Sequence, residues 1–131
     1  MSRTVAVTLG TETAVATFYA DRAPEITDAT WELLPWSANR VLHARITDDE
    51  VFIDAPILTE EKENPVENVS AGEFGYYSGY PAYVWFYDDV QPWAPPNIIG
   101  RITENLDGFQ REARKAWKET SIGMRMERGE E

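Results

Sequence analysis

The chain has 131 residues, no cysteine, one histidine, and 12 basic against 23 acidic side chains for a net charge of −11. It is one domain's worth of protein, long enough to bury roughly two thirds of its unfolded surface without staples. Those counts exclude structural disulfides, thiol nucleophiles and a histidine-rich zinc site, and leave oxygen ligands for any metal. So acidic a surface repels nucleic acid and anionic membranes, neither of which is an expected partner.

MSRTVAVTLG has too short an apolar run for a signal peptide, and no stretch approaches the ~20 apolar residues of a membrane span, so a cytoplasmic location is expected. Val5, Val7 and Leu9 alternate with small or polar residues, Gly10-Thr11 turns the chain, and 14–19 is again rich in β-formers, which predicts an opening hairpin. In APEITDATWELLP the period changes. Pro24 suits a first helical turn, Ile26, Ala29 and Leu33 recur at helical spacing and Pro35 stops the run, predicting a helix over 24–34.

VLHARI (41–46) returns to strand, with Leu42, Ala44 and Ile46 expected on the apolar face, and TDDE turns it into a second strand, VFID (51–54). The acids and two prolines of 55–71 read as a long surface loop; its Glu60, Glu61 and Glu63 are read as a solvated acidic segment rather than metal ligands. GEFGYYSGYPAYVWFYDD predicts two aromatic strands, 73–77 and 82–87, joined by a turn. Alternation cannot bury every ring, so some of Tyr76, Tyr77, Tyr83, Trp85 and Tyr87 should face outward.

After the loop VQPWAPPN, NIIGRI is a strand. Leu106, Phe109, Ala113, Ala116 and Trp117 make an apolar stripe on a helix over 106–118, opposite Arg111, Glu112, Arg114 and Lys115. Ile122, Met124 and Met126 alternate in a last strand before an acidic tail from about 127. The order never produces the βαβ alternation of a parallel sheet. The expected architecture is mainly β: a closed eight-stranded antiparallel β-barrel with two capping α-helices, forming a single domain over 1–131.

These pieces carry a resemblance. Ala23-Pro24 with Thr27, Trp31 and Leu34, followed by VLHARI, is similar to the opening of the cyclophilins, where an Ala-Pro-x-Thr helix leads into a Phe-His-Arg-Val-Ile strand. IIGRITENLDGFQREARK resembles their late Phe-Gly-x-Val strand, which runs through a Gly-Met-Asp stretch into the second helix. The resemblance implies a cyclophilin-like fold and sets Arg45 on the family's catalytic arginine, with His43 on the aromatic position two residues earlier. The Phe-Met-x-Gln-Gly-Gly-Asp and Gly-Ser-Gln-Phe-Phe segments of cyclophilins are absent; TDDEVFIDAP and GEFGYYSGYPAYVWFY stand in their places. The chain resembles more closely a group of small uncharacterised bacterial proteins of cyclophilin-like fold, a domain of unknown function. It shares with them Leu34-Pro35, His43-Ala44-Arg45, Glu63-Asn64-Pro65, and Gly72-Glu73 with Tyr76-Tyr77.

Strand parity defines the candidate site: with Leu42, Ala44 and Ile46 turned inward, His43 and Arg45 share an outward face. Imidazole moves protons near neutral pH, arginine is a fixed cation for a carboxylate or developing oxyanion, and tyrosines supply walls and hydroxyl donors. His43 and Arg45 are the catalytic candidates. Tyr76, Tyr77 and Tyr87, with Glu63 and Asn64 folding over from the long loop, are the ligand-binding ones, for a small carboxylate or cyclic amide and with no metal or cofactor. The competing reading of a lone strand histidine is a hydrogen-bonded structural residue. The expected function is a small-molecule binding protein, or an enzyme of unassigned reaction. The alternative is a non-catalytic subunit or interaction module using aromatics such as Trp93, with a homo-oligomer as the default assembly. Prolyl isomerisation, with Arg45 easing the twisted amide, ranks last because the motifs lining the proline pocket are missing. No Gly-x-Ser-x-Gly elbow and no Gly-rich loop before a Lys-Ser or Lys-Thr helix occurs, so a serine triad and a nucleotide site have no support.

Overall fold

Among the described residues, nine strands form one antiparallel sheet whose order is β3-β9-β1-β2-β8-β6-β7-β5-β4. The computed structural model describes residues 3–45, 49–60, 62–92 and 94–130; Ile46, Glu61 and Trp93 lie outside the described residues. The strands are β1 (Thr4–Leu9), β2 (Glu12–Phe18), β3 (Trp36–Ala38), β4 (Leu42–His43), β5 (Glu50–Asp54), β6 (Glu73–Tyr77), β7 (Ala82–Phe86), β8 (Asn97–Glu104) and β9 (Met124–Arg128). Helix α1 (Pro24–Leu33) follows β2, and α2 (Leu106–Lys115) lies between β8 and β9. This is the mainly β, two-helix antiparallel architecture expected, with one strand more.

The additional strand is β3, which follows the cis Leu34–Pro35 bond and pairs with β9. The sheet is curled, and its hydrogen-bonded order ends at β3 and β4, which are consecutive in the chain. Trp36 of β3 packs on Tyr83 of β7 across the interior, with ring centroids 6.1 Å apart, although the two strands lie near opposite ends of the order. The segment expected as an acidic tail continues the ladder: Glu127 and Arg128 belong to β9, and Glu130 exchanges hydrogen bonds with Thr4.

Period-2 alternation sorts the strands onto two faces. Val51 and Ile53 of β5, Phe74 and Tyr76 of β6, and Tyr83, Trp85 and the following Tyr87 join Val5, Val7, Leu9, Met124 and Met126 in the interior. Phe74 and Trp85, direct partners on β6 and β7, stack with centroids 5.5 Å apart. On the outer face, Val84, Phe86 and Ile98 form a smaller cluster with Val69, Phe52, Val66, Tyr77 and Val90, covered by the loops before β6 and before β8. β7 is therefore apolar on both faces, which is why AYVWF reads as an unbroken apolar run and all five residues are buried. Gly75 is the residue that lets β6 and β8 approach at a bulge, because a Cβ there would strike the Asn97 carbonyl.

Two expectations are corrected. Leu42 is 39% exposed and His43 only 8%, the reverse of the expected parity. The cause is register: β4 has just two residues, His43 is paired with the inward Val51 and Leu42 with the outward Phe52, so β5 dictates the faces of β4. Ala44, beyond the strand, is buried as expected. The second helix ends at Lys115, not 118, and Trp117 stands 42% exposed in the turn beyond it rather than on a buried stripe.

Candidate functional site

The β4–β5 hairpin carries chemistry on both faces. On its inner side, His43 Nδ1 lies 2.7 Å from the Ala44 carbonyl and Nε2 lies 2.6 Å from the Tyr87 hydroxyl. A carbonyl only accepts, so Nδ1 carries the proton, and in the neutral ring Nε2 accepts from Tyr87. The Tyr87 hydroxyl is also 3.3 Å from Asp49 Oδ1. If the ring takes a second proton, Nε2 becomes a donor to the Tyr87 oxygen and the phenolic hydrogen turns to Asp49. The three side chains thus form a line along which one proton can be accommodated.

Burial first, and then the adjacent Asp49 charge and hydrogen bond, push the Tyr87 hydroxyl up to about 12; Arg114 acts against them. The segment is braced from α2, where Gln110 Nε2 donates to the Tyr87 carbonyl at 2.7 Å and Arg114 pairs with Asp88 at 3.2 Å. Trp117 closes the cluster, its ring edge-on to His43 at 4.8 Å and beneath the Arg45 guanidinium at 4.9 Å. His43, Arg45 and Tyr87 are therefore together, with Trp117 and Asp49, whose parts the sequence reading did not foresee.

The outer face holds a cleft of about 920 Å³. Its floor is Phe52, Tyr77 and Ala82 from β5, β6 and β7; its walls are the 78–80 turn, Ala94 and Pro95, and Lys62 with Pro65 from the long loop. Few polar groups interrupt this surface. Glu50, 8% exposed, contributes a carboxylate and Asn97, 4% exposed, an amide. Lys62 makes no ion pair among the described residues.

The five ligand-binding candidates do not converge. Tyr87 faces inward with His43, whereas Tyr77 is on the cleft floor with its hydroxyl donating to the Ala94 carbonyl at 3.2 Å. Tyr76 is fully buried in the interior, donating to the Ile57 carbonyl at 3.1 Å and accepting from Thr59 N–H. Glu63 receives the Glu25 and Ile26 N–H groups at the start of α1, and Asn64 donates to the Ile98 carbonyl. Phe52, Lys62, Tyr80 and Asn97 were not singled out from the sequence. Phe52 alone had a readable signal: once Val51 and Ile53 face inward, the residue between them must face out.

The described residues include no helix long and apolar enough to cross a membrane, and no cluster of three or more His, Asp or Glu side chains that could hold a metal ion. The sequence model of a family described as Cyclophilin-like matches residues 3–119. Among curated proteins, none matches the chain. Solved structures that resemble it in fold include two that align over nearly all of its length. One is McbB in complex with tryptophan, with a TM-score of 0.82 and 19% identity over 97% of this chain. The match spans only 45% of the McbB chain. The other is the solution structure of the hypothetical protein AF2241 from Archaeoglobus fulgidus, with a TM-score of 0.73 and 19% identity, covering 98% of this chain and 95% of that one.

Proposed function

The chain belongs to the cyclophilin-like family, and from that premise we propose that it binds a small aromatic molecule bearing a carboxylate in the cleft on the outer face of β5, β6 and β7. A fold does not specify chemistry, so the proposal rests on the site. The observation that carries it is a formed, mostly apolar cleft of about 920 Å³ with Lys62, not ion-paired among the described residues, at its wall. That size falls in the range of small-molecule sites, where apolar walls supply affinity and a few polar groups fix orientation. Phe52, Tyr77 and Tyr80 offer ring contacts, Lys62 a cation for the carboxylate, and Glu50 an acceptor for an ammonium group if the ligand is an amino acid. The similarity to McbB, whose structure holds tryptophan, supports this ligand class.

The short hydrogen bond between His43 and Tyr87 favours a second reading, in which His43 transfers a proton and Arg45, stacked on Trp117, serves as the fixed cation for a carboxylate or developing oxyanion. Calorimetric titration with indole-3-acetate, tryptophan, tryptamine and indole separates the two. The cleft reading expects the acids to bind wild type and Phe52→Ala to weaken them by roughly tenfold, with His43→Asn and Arg45→Ala without effect. Binding abolished by His43→Asn or Arg45→Ala but indifferent to Phe52→Ala supports the second reading. No binding by any of the four compounds contradicts the proposal.

A further inference from the structure

Helix α1 begins without a cap of its own. Ala23 stands at the N-cap and has no side-chain acceptor. The acceptor comes from the long loop: Glu63 takes the Glu25 N–H on Oε2 at 3.0 Å and the Ile26 N–H on Oε1 at 2.8 Å, across 38 and 37 positions of sequence. A carboxylate spread over two N–H groups of a first helical turn is a charge-assisted contact favoured by the helix dipole.

The backbone beside it is tied down separately. Glu63 N–H donates to Asn97 Oδ1 at 2.9 Å, Asn64 N and O groups bracket Ile98, and Asn64 takes the left-handed φ of 53° that this turn requires. Asn97 spends its amide hydrogens on the Tyr76 carbonyl and the Ser78 hydroxyl, both at 2.9 Å. One buried amide thus joins the loop, the end of β6 and the 78–80 turn, three parts of the cleft lining. The residue just before this pinned segment is Lys62.

We infer that Glu63 is a positioning residue that sets ligand specificity: its clamp on α1, acting together with the loop's anchors to Asn97 and Ile98, holds Lys62 at the cleft, so that the cleft selects carboxylates over neutral molecules with the same ring. The inference rests on the cleft reading above. The clamp orders the loop in advance, so a ligand carboxylate does not have to order the backbone that presents Lys62. The aromatic floor sits on strands and does not depend on the clamp. Loosening Glu63 should therefore erode the carboxylate's share of the affinity and leave the ring's share.

The test is the ratio of dissociation constants for indole-3-ethanol and indole-3-acetate, two ligands differing in charge at one end of a shared ring system. Calorimetry on wild type should give a ratio of about fivefold or more in favour of the acid. Lys62→Gln and Glu63→Ala should each bring the ratio to within about twofold of unity, with the alcohol's affinity changed by less than about threefold. Glu25→Pro deletes one of the two N–H groups Glu63 receives, at a first-turn position where proline is tolerated, and should give an intermediate ratio; it carries the test if Glu63→Ala does not fold. A wild type that binds neither compound defeats the cleft reading itself. A wild type without preference for the acid overturns the inference alone. So does a Glu63→Ala or Glu25→Pro protein that keeps the full ratio, or one that loses both ligands in equal measure.

Discussion

Replacing Tyr87 by phenylalanine removes one oxygen and leaves the ring that packs beside His43. That oxygen is the partner of His43 Nε2 at 2.6 Å, and His43 is only 8% exposed, so the nitrogen it leaves behind has little access to water. A buried polar atom stripped of its partner costs about 1–3 kcal/mol, while the longer contact to the exposed Asp49 adds little. Tyr87→Phe should therefore lower stability by about 1–3 kcal/mol in urea unfolding with an unchanged m-value. In a His43→Phe background the orphaned nitrogen is gone, and the same change should cost less, giving a coupling of about 1 kcal/mol or more in the double-mutant cycle. The alkaline limb supplies an independent check. The folded protein keeps the Tyr87 proton to about 12, whereas the unfolded chain releases it near the ordinary tyrosine value of about 10. This contribution is intact below pH ~10 and is lost as pH rises through that window, a loss the Tyr87→Phe protein does not share. A Tyr87→Phe protein within about 0.5 kcal/mol of wild type, with additive single changes, would refute the claim that this pair holds the histidine inside.

Two further outcomes follow from the packing. Glu112 accepts from Lys115 at 2.7 Å and from Thr11 N–H, and the Lys115 hydrogen bond is the main reason its carboxyl is held below the usual range, against the opposing effect of burial. The unfolded chain takes up that proton first as pH falls, so the contribution is complete at neutral pH and disappears as pH drops through the folded value; Glu112→Gln should unfold more easily at pH 7, and its disadvantage should narrow in acid, as read by thermal melts across pH. Gly79 lines the cleft, and an added Cβ there meets nothing within 4 Å, so Gly79→Leu should obstruct ligand entry in calorimetry while leaving stability within about 0.5 kcal/mol of wild type.

What was legible in the sequence was whatever is governed by local periodicity. Val5, Val7 and Leu9 marked their hairpin, Pro24 and Pro35 bracketed α1, and the aromatic runs marked β6 and β7. β3 escaped because three residues after a proline have no period of their own; they are a strand only because the edge of β9 is there to pair with them. The faces of His43 and Leu42 were misassigned for a related reason, since parity in a two-residue strand is set by its partner β5. The apolar pattern through Ala116 and Trp117 continued past the point where the helix stops, and only the tertiary contact with His43 and Arg45 gives Trp117 its place. Glu63 and Asn64 looked like ligand groups reaching over a site. Their side chains are occupied by α1 and β8, and the missing cap at Ala23 was the one sequence clue that such a carboxylate was needed.

The central claim is that the ligand face is the outer one, away from the histidine. Amide chemical-shift mapping of the isotopically labelled protein, titrated with indole-3-acetate, tests this most directly. Binding on the outer face should give saturable shifts at Phe52, Lys62, Tyr77, Gly79 and Asn97, with the amides of His43, Arg45 and Trp117 unmoved. Shifts confined to His43, Arg45 and Trp117, or no saturable shift anywhere at millimolar ligand, would contradict it.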